Sequence, residues 1–234
     1  GQEGVILDEH EIGDQEWGSR KAKELLFLLL YKSRPVRRDE IFDALWPETA
    51  LDDSYSVLKT TVYRLRRATY SEFVEACGQG YRVNTSAPVE FDVASFEEHL
   101  RQAELLEKGS ERRRDHLEQA TALYKGPFLP EFYSEWCETL RRELETRYHR
   151  SLVILAGYYA AKGDFDRSCE LLRVVLSADP LDEEANYQLV LNQCKAGEHV
   201  SGLKHLRHYE KLLMEELGCP LPPRFTQLAS HPFS

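Results

Sequence analysis

A chain of 234 residues with 42% hydrophobic content and a formal net charge of −10 can build a real core, as one large domain or two ordinary ones. Its acidity excludes a protein that binds nucleic acid along its whole length, so any such contact has to be local. No apolar run reaches the ~18 residues of a membrane span, and the five widely spaced cysteines (Cys77, Cys137, Cys169, Cys194, Cys219) contain no CxxC pair. Neither a zinc site nor a disulfide framework follows from that spacing, and a reduced, cytoplasmic setting is expected. The N-terminus is acidic where a signal peptide is basic, and it opens on Gly-Gln-Glu-Gly rather than Met. A piece of a longer protein is therefore expected.

In chain order, Val5, Leu7, Ile12 and Trp17 alternate loosely and predict one or two short strands within residues 3–19, with a further strand upstream. SRKAKELLFLLLYKSRPV follows, with Ser19 as a cap and a broad apolar stripe of Ala22, Leu25, Leu26, Leu29 and Leu30. This is a first helix, broken at Arg34-Pro35; Val36 is expected to pair with a later strand. A second helix spans Arg38 to Leu45, with Ile41, Phe42, Leu45 and Trp46 inward and Pro47 ending it.

In DSYSVLKTTVYRLRRATY, Leu58, Val62 and Leu65 recur at i, i+4 and i+7 and line one helix face. Asp53 or Ser54 is the expected N-cap. Lys59, Thr60, Tyr63, Arg64 and Arg67 point elsewhere, and Arg66 sits near the boundary. Phe73 to Ala76 and Tyr81 to Val83 then flank Gly78-Gln79-Gly80, a hairpin signal. Residues 20–82 hold 12 basic and 9 acidic side chains, a mildly positive block in an acidic chain. Helix, helix, basic helix, hairpin is the order of a winged helix-turn-helix, whose third helix enters the major groove while the hairpin meets the flanking backbone. On that geometry Lys59 and Arg67 are candidate phosphate contacts, as are Arg37 and Arg38 at the second helix and Arg82 on the wing.

Thr85 to Val89 reads as a linker, after which the composition turns helical throughout. Helices are predicted over Phe91 to Leu106 and Glu111 to Tyr124. A loop at Gly126-Pro127 and Pro130 then precedes a long helix from Glu135 to Lys162. AAKGDFDRSCELLRVV and QCKAGEHVSGLKHLRHY align on Gly163 and Gly197, 34 residues apart, the tetratricopeptide period. Leu155, Ala156, Tyr159, Ser168, Leu172, Val175 and Pro180 fall at the expected positions of one unit, and Leu189, Val190, Gly202, Leu206 and Tyr209 at those of the next. The tail from Pro220 is expected to be a cap or a loop.

Catalytic signatures are missing: there is neither a phosphate-loop motif nor G-x-S-x-G. His199, His205 and His208 read as a solvated helix face rather than a metal site. No cofactor, no metal and no enzymatic activity are expected.

The segments RKAKELLFLLLYKSRPVRRDEIFDALWP, TTVYRLRRA and GQGYRV resemble the winged-helix effector domains of OmpR-type regulators, and most closely the form in SARP-type bacterial activators. Y-x-G-x-F-L-P…EW…RR-E-L resembles the bacterial transcriptional activator domain that follows in those proteins. Together the two likenesses cover about residues 19–218. They imply a mainly α fold: a winged helix-turn-helix with a small β wing over residues 1–88, then an all-α tetratricopeptide-like domain over 89–234. They further imply a sequence-specific transcriptional activator that binds double-stranded DNA. Its helical domain would contact RNA polymerase, another regulatory protein or a second copy of the chain. Matching the RLRR run makes Ser56, Thr60, Thr61, Arg64 and Arg66 the base and phosphate contacts. Two departures stand against this. Asp52 and Asp53 are acids near the helix end that approaches DNA, and Ser56 replaces the longer polar residue common in the family. The competing reading is a signalling or scaffold module that does not bind DNA.

Overall fold

The computed structural model describes residues 4–7, 9–48 and 51–230, with residues 51–55, 226–227 and 229–230 described by backbone alone. Two compact units emerge, Gly1–Glu98 with Leu123–Glu145, and His99–Ala122 with Thr146–Ser234. Packing thus divides the chain differently from composition. The linker near residue 88 marks a change of secondary structure, and the first unit continues past it.

The first unit opens with a small antiparallel pair, β1 (Ile6–Leu7) and β2 (His10–Glu11). Trp17, expected on a strand, instead ends a four-residue helix, α1 (Asp14–Trp17). The reason is local. Glu16 accepts the Gly13 N–H at 2.8 Å, closing the helix start, and Gly18 ends it with φ at 59°. The turn drives the Trp17 ring into the core, where it is 1% exposed. Helix α2 (Arg20–Lys32) begins on Ser19, whose side chain accepts from Lys21 N as expected, and it buries Leu25, Leu26, Leu28 and Leu29. β3 (Val36–Arg37), α3 (Arg38–Leu45), α4 (Leu51–Ala68), β4 (Val74–Cys77) and β5 (Gly80–Val83) complete the winged helix.

The sheet has the order β3-β5-β4, all antiparallel, so Val36 does pair with the wing, opposite Tyr81. Leu58, Val62 and Leu65 of α4 close the core against α2. α4 runs from Leu51, so Asp53 and Ser54, expected at its N-cap, fall in its first turn, and their side chains lie outside the described residues. Gly78 provides the positive φ (57°) of the tight reversal between β4 and β5. Gly80 matters for another reason: a Cβ there would overlap the Val36 carbonyl where β3 crosses β5. Gly80→Ala should destabilise the chain by roughly the upper part of the 1–3 kcal/mol typical of overpacking, read from urea denaturation. An unchanged midpoint would mean that β3 does not lie this close.

Three further helices have their expected places, α5 (Asp92–Leu105), α6 (Glu111–Leu123) and α7 (Glu135–Ala161), and the repeat region forms α8 (Phe165–Ala178), α9 (Glu183–Lys195) and α10 (His199–Leu217). The first unit gathers the loop before α7. Phe128 packs edge-on against Phe27 and Trp136, and Phe27 also meets Phe91. Arg141 donates to the carbonyls of Phe128, Leu129 and Phe132, satisfying backbone acceptors that a loop leaves unpaired. Trp136 Nε1 donates to buried Glu24 at 3.2 Å, and Lys21 pairs with the same carboxylate at 2.8 Å. The F-L-P…EW…RR pattern is therefore a packing motif.

In the second unit the 34-residue period is structural. Gly163 and Gly197 occupy equivalent turns with φ of 81° and 84°. The named large and small positions of both units are buried, and only Pro180 is exposed. The small residues allow close approach: Ser168 Oγ donates to Ala156 O at 2.7 Å, and a Cβ on Gly202 would sit 2.9 Å from Cys194 Sγ. The tail is a cap, formed by a helix, α11 (Pro223–Ser230). Phe225 is fully buried against Tyr187 and Tyr209, while Arg224 pairs with Glu183 and Glu184 at 2.7 Å each.

Candidate nucleic-acid interface

Helix α4 has two faces. Leu58, Val62 and Leu65 are at most 3% exposed, which turns Ser56, Thr60, Tyr63, Arg64 and Arg67 outward along the opposite stripe. Thr60 Oγ1 bonds back to Ser56 O at 3.0 Å, leaving lone pairs for a ligand. Lys59 is also exposed, one step round the helix. Arg64, Arg67 and Tyr63 line a shallow groove of about 620 Å³ with Gln15, Glu16 and Trp17 of α1. Arg64 and Arg67 have no ion-pair partner among the described residues.

Tyr63, 65% exposed, was not singled out from the sequence as a contact. Its signal was its spacing, three residues after Thr60 and four before Arg67 on one helical stripe. Glu16 is the acid at this groove. The Gly13 amide, with His10 beside it, holds its carboxyl below the usual carboxylate range.

Two expected contacts are placed otherwise. Thr61 is 3% exposed and its Oγ1 donates to Val57 O at 2.9 Å, so it belongs to the packed face and not to the outer one. Arg66 is half-buried, and its Nε and Nη2 both donate to Val74 O, at 3.0 and 2.7 Å. That guanidinium ties α4 to the first strand of the wing and is not presented to a ligand. Arg66→Ala should lower stability by about 1.5–3 kcal/mol, the range for a charge-assisted bond, whereas Arg64→Ala should leave the melting temperature unchanged. Equal melting temperatures for the two variants would contradict this division of roles.

The wing cations surround the hairpin. Arg82 lies directly across from Glu75 and donates to it at 3.0 and 2.9 Å, both side chains being partly exposed. To reach a phosphate, Arg82 would have to exchange this carboxylate. Arg37 pairs loosely with Asp39 at 3.1 Å in solvent, an interaction worth little. Arg38 is half-buried beside the wing turn, its backbone N–H donating to Gln79 O. The side chains of Asp52 and Asp53 lie outside the described residues. By backbone alone, both residues fall at the start of α4.

No group of three or more potential metal ligands occurs among the described residues. All five cysteines are free, and burial pushes the Cys137 thiol up to about 12, far from a reactive thiolate. His205 bonds Asn186 at 2.8 Å, and burial lowers its pKa. No described helix is long and apolar enough to cross a membrane.

The fold is that of a winged helix followed by tetratricopeptide-like helices. It has a close counterpart in the solved structure of Mycobacterium tuberculosis EmbR in complex with a low-affinity phosphopeptide. That match has a TM-score of 0.75 at 20% identity and covers 96% of this chain and 61% of that one. Residues 91–231 match the bacterial transcriptional activator domain, and the chain belongs to that family, in the SARP-type arrangement with the winged helix in front. Its curated relatives include the regulatory protein AfsR of Streptomyces coelicolor, 25% identical over 214 residues, and that of Streptomyces griseus, 23% identical over 220. Each alignment covers 90% of this chain but 22% of the relative, so the chain spans about a fifth of their length. The role that these likenesses support is regulatory.

Proposed function

We propose that the chain is the DNA-reading and partner-binding portion of a cytoplasmic transcriptional activator. Residues 1–88 would read a specific duplex site and residues 89–234 would contact RNA polymerase, another regulatory protein or a second copy. The observation that carries the reading is the outer stripe of α4. It holds an exposed tyrosine, two arginines and two hydroxyls opposite a buried face, with a hairpin beside it. On this reading Arg64 and Tyr63 would meet base edges, Arg67 and Lys59 would meet phosphates, and Arg37 and Arg82 would set the wing against the backbone. Activation rather than repression rests on the family alone. Fluorescence anisotropy with a selected duplex, comparing the parent with the Arg64→Ala variant, tests the assignment. Equal affinity for selected and scrambled duplexes would refute it.

A second reading, a scaffold that does not bind DNA, draws on Glu16 at the groove and on the Arg82–Glu75 pair. Its mark would be a partner complex that forms unchanged when Arg64 and Arg67 are both replaced.

A further inference from the structure

Within the second unit, α6 and α7 enclose a half-open cavity of about 510 Å³, inside the range typical of small-molecule sites. Five cations line it, Lys108, Arg113, Arg114, Arg150 and Lys162, and no acidic residue does. In a chain of net charge −10 that is a local reversal of sign. Arg114 is already paired with Asp115 and, at 3.6 Å, with Glu118. For Lys108, Arg113, Arg150 and Lys162 no carboxylate partner occurs among the described residues. Arg113 Nε is buried with no hydrogen-bond partner, a donor that a bound acceptor would satisfy.

The backbone adds to this field. The cavity opens at the start of α6, where Ser110 Oγ accepts from Arg113 N at 3.3 Å. The first-turn amides and the helix dipole there favour an anion. Leu117, Ile154, Ala161 and the Tyr158 ring add apolar lining, and Arg114 and Lys162 stand over that ring at 5.6 and 5.7 Å. Cations gathered around one cavity repel one another, and an anion between them removes that cost. Two arginine forks and a helix N-terminus suit a phosphate in particular.

We propose that this cavity binds a small organic phosphate carrying a flat apolar group, of the nucleoside phosphate class. The phosphate sits at the start of α6 against Arg113 and Lys108, within the field of Arg150 and Lys162, and the ring lies against Tyr158 and Ile154. The site goes beyond the proposed function by giving the helical domain a small-molecule input. It is read without DNA, so its failure and that of DNA binding are separable.

The test is calorimetric titration of the full chain with ADP, adenosine and inorganic pyrophosphate at two salt concentrations. Saturable ADP binding is expected, weakened by salt and by about tenfold or more, ~1.4 kcal/mol, in Arg150→Glu/Lys162→Glu. Adenosine and pyrophosphate are each expected to bind more weakly than ADP. Arg150, Lys162 and Lys108 are all exposed, so these variants should fold; circular dichroism checks this, and Lys108→Glu replaces the double variant if it does not. Absence of saturable ADP binding, or equal ADP binding in a folded variant, overturns the site. Pyrophosphate binding as tightly as ADP overturns the ring subsite, and adenosine doing so overturns the phosphate subsite. A glutamate-rich peptide binding where ADP does not overturns it in favour of a protein ligand.

Discussion

Replacing Arg64 by alanine should weaken binding to the cognate duplex by about 1–3 kcal/mol while leaving non-specific binding nearly unchanged. Arg64 stands on the outer stripe of α4, above a helix face whose leucines and valine are buried, so its loss removes a contact without disturbing the core. Arg67 is one turn further on, three residues along the same stripe. Its replacement should weaken binding on all sequences alike and make the salt dependence shallower, as the loss of a phosphate contact does. The double variant should approach the non-specific level. A uniform loss for Arg64→Ala would reassign that residue to the backbone, and no loss for the double variant would remove α4 from the interface. Arg66→Ala is the control, since its bonds to Val74 O make its loss a matter of stability.

Phe225→Ala should cost about 3–5 kcal/mol, the range for a fully buried aromatic side chain. The ring is 0% exposed and lies 5.4 Å from the Tyr187 ring and 5.2 Å from that of Tyr209. It closes the end of a stack of repeats that would otherwise present an apolar face to water. Arg224→Ala, one residue away, removes partly exposed ion pairs to Glu183 and Glu184 and a stack on Tyr187 and should cost less, about 1 kcal/mol. Urea denaturation distinguishes the two. If Phe225→Ala were no worse than Arg224→Ala, α11 would not be a cap.

The order of helices and the wing was legible because apolar spacing and turn glycines are local signals. Leu58, Val62 and Leu65 marked the buried face of α4, and Gly163 and Gly197 marked equivalent turns of the repeat. Thr61 shows how a motif can mislead. It lies three residues after Leu58 and four before Leu65, on the packed stripe, and spacing alone would have placed it inward. Arg66 was not legible, because the carbonyl it binds belongs to a strand eight residues on and only the folded wing brings the two together. The tail hid its helix behind Pro222-Pro223, although proline at the first helical position is a favourable start. The cation-lined cavity had no signal in sequence, since Lys108, Arg113, Arg150 and Lys162 come from two helices, a loop and the turn after α7.

The most direct measurement is selection of randomised duplex DNA by the purified chain, with sequencing of the retained pool, at about 50 and 200 mM salt. A specific DNA reader enriches one motif, binds it with affinity that falls steeply with salt, and loses the enrichment on Arg64→Ala. A retained pool indistinguishable from the input, with helical content intact, would contradict DNA reading by α4.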